Sequence, residues 1–359
     1  MKYYSLKNIL SKNAQYNVIF GERSNGKTYS VLKFGLERYV KNGEQTAIVR
    51  RWQEDFTGKR GVTLYDAIVA NGEVTRLTGG EYTNVYYWGS KWYLCRYEDG
   101  KRVNAPEPFA YGFSISSMEH DKSTSYPLIT TICFDEFLTR TAYLPDEFVL
   151  FMNVISTIVR QRKNVKIFML GNTVNKYCPY FSEMGLTHIN KMTPGDIDVY
   201  RYGESDLTVA VEYTRSGKAG KESDLYFAFD NPKLQMITGG SWEIDIYPHC
   251  PIKFTPRDVV FTFFIEFSGD LLQCEVVTVP DSSFIFIHRK TTELKEPEED
   301  LIFSPEIKHL PNWKRKITKP TSSIEKKIAD YFIRDKVFYA DNEVGEVVRN
   351  YLIWCGKNL

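Results

Sequence analysis

Residues Gly21-Glu22-Arg23-Ser24-Asn25-Gly26-Lys27-Thr28 satisfy G-x-x-x-x-G-K-[ST] at every required position. Few strings of this length constrain a fold so tightly. The glycines let successive backbone N–H groups turn inward around an anion. A lysine at position 27 reaches the β- and γ-phosphates of a nucleotide, and the hydroxyl of Thr28 holds Mg²⁺. Between the glycines, Arg23, Ser24 and Asn25 supply the remaining loop contacts. The flanks agree with the motif. Tyr16-Asn17-Val18-Ile19-Phe20 reads as a short strand, and Thr28 to Tyr39 as a helix. Strand, phosphate loop, helix is the opening unit of an α/β nucleotide-binding domain.

Bulk properties narrow the rest. With 359 residues the chain exceeds one small core, so two domains are expected. The net charge of +1 does not announce a nucleic-acid partner, which would need a local basic patch. No run of about 18 apolar residues is present, and the first residues lack the apolar core of a signal peptide, so no membrane span or export is expected. The six cysteines are widely spaced with no C-x-x-C pair, which suits reduced thiols in a cytoplasmic protein. His249-Cys250 lacks partners at zinc spacing, so no zinc site is expected.

Along the chain, Gln45 to Val49 reads as a second strand ending in Arg50-Arg51. Residues 53–80 read as a polar segment with Lys59-Arg60 at a loop tip. A β-meander follows, with Asp99-Gly100 as a hairpin turn. Leu128 to Phe134 and Val165 to Leu170 read as buried parallel strands, separated by a helix from Pro145 to about Arg162. Past residue 200 the pattern changes to short alternating strands, including Leu207 to Tyr213 and Trp242 to Tyr247, and two helices close the chain. The expected fold is an α/β P-loop NTPase domain with a β-meander insertion (1–205), a linker (206–240) and a smaller α+β domain (241–359).

The chemistry of the first domain rests on three further positions. Asp135-Glu136 follows an apolar run at a strand end. Asp135 supports Mg²⁺, and Glu136 orients and polarises the attacking water. Phosphoryl transfer needs positioning and charge neutralisation more than covalent help. An adjacent glutamate marks ATPases that carry their own catalytic base. Asn172, at the tip of the next strand, suits the place beside the γ-phosphate that additional-strand ATPases give to such a residue. Ring ATPases complete the site with a cation from a neighbouring subunit. Arg160 and Arg162 are the leading candidates, with Arg23 and Arg50-Arg51 as further options.

These residues together resemble the genome-packaging ATPases of small short-tailed Bacillus phages, ring ATPases of the additional-strand, FtsK/HerA-like type. The resemblance is collinear through Phe20 to Thr28, Ile48 to Arg51, Lys122 to Phe137, Arg160-Gln161-Arg162 and Asn172, and it covers residues 1 to about 190. It implies ATP and Mg²⁺ as cofactors and a homo-oligomeric ring, pentameric by that resemblance. It implies double-stranded DNA and the portal of the procapsid as partners, with a packaging RNA in some relatives. The location implied is the host cytoplasm at the portal vertex. It also implies Arg160 as the arginine finger donated in trans and Lys122 as a second trans-acting cation. The second domain is then ribonuclease-H-like and degenerate as a nuclease. Its acids Glu243, Asp245, Glu266, Asp270 and Asp281 form no clear cluster in sequence. Lys59, Arg60, Lys314, Arg315 and Lys316 are candidate DNA-phosphate contacts, because a motor must grip any sequence through its backbone. Three alternatives stand beside this: a terminase with a live nuclease, another DNA-translocating ring ATPase, and a non-enzymatic nucleotide-gated scaffold.

Overall fold

The computed structural model describes residues 4–120, 124–141, 143–203, 205–215, 242, 244–294 and 296–356. The chain divides into two units, Met1–Glu243 and Ile244–Leu359.

The first unit opens with a short helix α1 (Lys7–Leu10), strand β1 (Tyr16–Gly21), helix α2 (Lys27–Asn42) and strand β2 (Gln45–Arg50). Helix α2 stops at Gly43, whose φ of 71° lets its N–H reach back to the Tyr39 carbonyl at 2.8 Å. Three short helices follow, α3 (Gly58–Thr63), α4 (Asp66–Ala70) and α5 (Glu73–Leu77). Lys59 and Arg60, expected at a loop tip, therefore lie in α3. Next come β3 (Asn84–Trp88), β4 (Lys91–Glu98), β5 (Lys101–Asn104) and β6 (Ala110–Ser114). The unit continues with β7 (Ile129–Asp135), helix α6 (Glu147–Val159), β8 (Lys166–Asn172), helix α7 (Pro179–Glu183), β9 (Ile197–Arg201) and β10 (Thr208–Tyr213).

All ten strands join one sheet in the order β3-β4-β6-β2-β7-β8-β1-β10-β9, with β5 paired to β4. The six strands from β6 to β10 in that order run parallel. Their near-continuous apolar sequences follow from burial on both faces; every residue of β7 is buried. Alternation still sorts side chains between the faces. Val18 and Phe20 pack with Phe134, Phe151 and Tyr180 on one side, and Ile19 packs with Val31, Leu36 and Phe168 on the other.

Thr208–Tyr213 corrects the expected linker. This segment pairs in parallel with the P-loop strand, Tyr16 opposite Val209 and Phe20 opposite Tyr213. Its five buried residues from Val209 to Tyr213 place it inside the sheet. The basic stretch beyond Arg215 lies outside the described residues.

The second unit holds a six-stranded sheet. Its strands are β11 (Val259–Phe267), β12 (Asp270–Val279), β13 (Ser282–Arg289), β14 (Ile302–Phe303), β15 (Trp313–Lys314) and β16 (Val337–Tyr339), in the order β15-β14-β11-β12-β13-β16. Helices α8 (Ser323–Ile333) and α9 (Asn342–Trp354) accompany it. Ser322 and Asp341 cap them, accepting from Glu325 N at 3.2 Å and Val344 N at 2.8 Å. The strand expected from Trp242 to Tyr247 does not form among its described residues. Tyr247 N bonds the Asn342 side chain at 3.0 Å instead, and the Tyr247 ring lies against Gly345 of α9.

Candidate nucleotide site

The parallel order puts the carboxyl ends of β1, β8 and β7 side by side, and β8 lies between the other two. Crevices at strand carboxyl ends are where open α/β sheets bind ligands. The P-loop leaves β1 through Gly21 and enters α2 through Gly26, whose φ is 90°. Ser24 also takes a positive φ, 60°. Such a run of turned backbone aims N–H groups at one point. Ser24, Asn25, Gly26, Lys27 and Thr28 line a cavity of about 260 Å³ together with Asp135, Glu136 and Asn172. The residues singled out for nucleotide chemistry on three strands thus share one cavity. Arg23 is exposed at the loop and is not among its lining residues.

Within the cavity the contacts are short. Thr28 Oγ1 donates to Asp135 Oδ1 at 3.0 Å. Lys27 Nζ donates to the Glu22 carbonyl at 2.6 Å, Asn25 Oδ1 at 3.2 Å and Asn172 Oδ1 at 3.4 Å. Burial pushes the Lys27 ammonium down to about 8, against the pull of Asp135 and Glu22. Arg50 binds both acidic residues, Nη2 to Asp135 Oδ2 at 2.7 Å and Nη1 to Glu136 Oε2 at 2.9 Å. Burial alone would lower the Arg50 pKa, but these two carboxylates raise it. Glu136 is 65% exposed in its side chain and has φ 61°, in the left-handed region. Non-glycine residues held there concentrate at functional sites.

The other predicted residues fall as follows. Arg160, just past α6, is exposed and donates to the Thr124 carbonyl at 3.1 Å. Arg162 is held within its own chain. Its guanidinium binds the carbonyls of Tyr126, Pro127, Ile129 and Ile158 of its own chain. That tether fastens the end of α6 to the start of β7. Lys122 and Glu243 lie outside the described residues. Arg60 pairs with Asp55 at 2.9 Å. It also borders a second cavity, of about 470 Å³, whose walls include Arg50 and Glu136. In the second unit Lys314 sits 3.6 Å from Glu325, and Arg315 and Lys316 both lie over the Trp354 ring. These cations have local partners and do not form a bare basic stripe. Asp270 pairs with Arg289, and Asp245 lies 4.0 Å from Arg349. Among the described residues no group of three His, Cys, Asp or Glu side chains is arranged to hold a metal.

Sequence reasoning missed Thr214. Its buried hydroxyl accepts from Asn25 Nδ2 at 3.0 Å and abuts Gly21, where a Cβ would come within 2.0 Å of it. No local signal marks Thr214; only the pairing of β10 with β1 brings it under the P-loop.

A family model described as podovirus DNA encapsidation protein (Gp16) matches residues 1–73 and 99–219. The chain belongs to this family. The matched segments carry the P-loop, Asp135, Glu136, Arg160 and Asn172, while β3 and β4 fall in the gap between them. A DNA packaging protein of Bacillus phage B103 is 30% identical over 187 residues, 51% of this chain and 52% of the relative. That of Bacillus phage phi29 is 28% identical over 184 residues, 50% of this chain and 49% of the relative. The encapsidation-family chain thus spans about half the length of the curated relatives it matches. Two solved assemblies extend the likeness in fold. The Phi-29 viral genome packaging motor assembly aligns with a TM-score of 0.57 at 21% identity, over 97% of this chain and 96% of the other. The Phi-28 gp11 DNA packaging motor aligns with a TM-score of 0.53 at 17% identity, over 99% and 98%. No helix among the described residues is long and apolar enough to cross a membrane.

Proposed function

We propose that this chain is the ATP-hydrolysing subunit of a ring that drives double-stranded DNA through the portal of a procapsid. The observation that carries this reading is the convergence of Lys27, Thr28, Asp135, Glu136 and Asn172 on one cavity at three adjacent strand ends. The P-loop N–H groups and Lys27 bind the β- and γ-phosphates. Thr28 Oγ1 and the Asp135 carboxylate are hard oxygen donors that suit Mg²⁺, which when bound would neutralise charge on the phosphate oxygens. Glu136 accepts a hydrogen bond from the attacking water and aligns it with the γ-phosphorus. Asn172 lies within reach of Lys27 and reports the γ-phosphate. Arg160, exposed at the end of α6, is the cation offered to the neighbouring subunit's site. The position of β8 between β7 and β1 supports the additional-strand class. In the second unit, antiparallel β11–β13 followed by β14 parallel to β11 and β15 parallel to β14 supports a ribonuclease-H-like sheet. The pairing of Asp270 with Arg289 supports its reading as a vestigial nuclease.

The test is Glu136→Gln. It should bind a fluorescent ATP analogue with near-unchanged affinity and hydrolyse ATP roughly 10²–10⁴-fold more slowly, the usual loss for a missing general base. Unchanged turnover would remove Glu136 from that role. Mixing Arg160→Ala with Glu136→Gln subunits should partly restore turnover if the finger acts in trans. Turnover that DNA does not stimulate would favour a nucleotide-gated scaffold over a motor.

A further inference from the structure

Arg51 follows Arg50 but turns to the opposite task. It is 7% exposed, and its side chain makes a fork-to-fork pair with Glu147, Nε to Oε2 at 2.7 Å and Nη2 to Oε1 at 2.9 Å. The remaining donors reach main chain: Nη1 to the Glu136 carbonyl at 3.3 Å and Nη2 to the Phe137 carbonyl at 2.9 Å. Glu147 is 2% exposed and is itself fixed, by Tyr180 Oη at 2.8 Å and Leu144 N at 2.8 Å. The Tyr143 ring closes over the guanidinium at 5.0 Å. A planar, fully charged fork can satisfy a carboxylate and two carbonyls at once, which a lysine cannot. The two carbonyls belong to Glu136, the residue at φ 61°, and to the residue after it. A left-handed glutamate persists only where its surroundings over-determine it.

We infer that Arg51 is a positioning residue for hydrolysis: anchored by Glu147, it locks the main chain of Glu136 in the left-handed turn that presents the carboxylate at the phosphate cavity. The inference rests on Glu136 being the catalytic base. Arg50 holds the acidic side chains and Arg51 the backbone beneath them, so the two neighbouring arginines fix the same turn from two sides.

The experiment uses the full chain with Arg51→Lys, Arg51→Met and the pair Arg51→Met/Glu147→Leu, with Glu136→Gln in parallel. Replacing both members of a buried ion pair by apolar residues commonly recovers stability, so the pair separates folding from positioning. Arg51→Lys should lower kcat about 10–100-fold with nucleotide affinity within about twofold, the cost of a misaligned catalytic group. The double variant should melt above Arg51→Met alone, which leaves the Glu147 carboxylate buried without its partner, yet keep the loss in kcat. In the Glu136→Gln background Arg51→Lys should add little, because the two act as one unit. Turnover that returns together with the melting temperature in the double variant would overturn the inference, leaving Arg51 a purely structural pair. So would a full additional loss of rate in the Glu136→Gln background. If Glu136→Gln alone hydrolyses ATP normally, it is the reading of the base that fails, and that outcome is distinct from both.

Discussion

Replacing Gly21 with alanine tests the seat of the P-loop on β10. The added Cβ would lie 2.0 Å from Thr214 Oγ1 and 3.2 Å from Thr214 Cβ, and Gly21 has φ 151°. Two costs add. Overpacking in a tight site costs about 1–3 kcal/mol. Alanine in a region that belongs to glycine costs about 1–3 kcal/mol more. Gly21→Ala should therefore destabilise the first unit by about 2–6 kcal/mol. Thr214→Ala alone loses one hydrogen bond to Asn25 and should cost about 1 kcal/mol. In the double variant the nearest obstruction recedes to 3.2 Å, so most of the overpacking disappears and only the backbone strain remains. The two substitutions should then be strongly non-additive, with a coupling of about 1–3 kcal/mol in the favourable direction. Urea unfolding of the four chains, followed by fluorescence, measures the cycle. Titration of a fluorescent ATP analogue should show the same order of affinities, because Asn25 and Gly21 frame the phosphate loop. Additivity within about 0.5 kcal/mol, the range found for independent sites, would refute the contact. It would also refute the placement of Thr208–Tyr213 beside the P-loop strand.

Three further outcomes are expected. Burial lowers the Lys27 pKa from 10.5 to about 8, so unfolding at pH 8–10.5 takes up a proton. The contribution of Lys27 to stability should grow as pH rises through that window, so the difference in urea midpoint between wild type and Lys27→Met should move in favour of wild type from pH 7.5 to 10.5; a pH-independent difference would refute the buried lysine. Arg162→Ala should lower the melting temperature, since losing charged hydrogen bonds to part-buried carbonyls costs about 1–3 kcal/mol. Arg160→Ala should leave melting unchanged and lower turnover instead; the reverse pattern would exchange their roles. Gly345→Ala, which in an open helix would stabilise by about 1 kcal/mol, should destabilise the second unit, because its Cβ would meet the Tyr247 ring at 2.2 Å. Circular-dichroism melts decide the sign.

What the sequence determined was local. The P-loop string sets its own turns through its glycines. The apolar runs ending in Asp135-Glu136 and Asn172 read as strands buried on both faces. Each signal lies inside one element, and the structure brings the marked residues of β1, β7 and β8 to one cavity.

What only the tertiary structure decided depends on partners far along the chain. Thr208–Tyr213 looks like any short alternating strand; its pairing with residues about 190 positions earlier makes it the support of the P-loop. Arg50, Arg51 and Arg162 are alike as letters, and each suited a cation offered to another subunit. The fold gives them different partners within one chain: two carboxylates, a glutamate with two carbonyls, and four carbonyls. A buried guanidinium must satisfy its donors wherever the fold places acceptors, and the string of residue types around it does not carry that information.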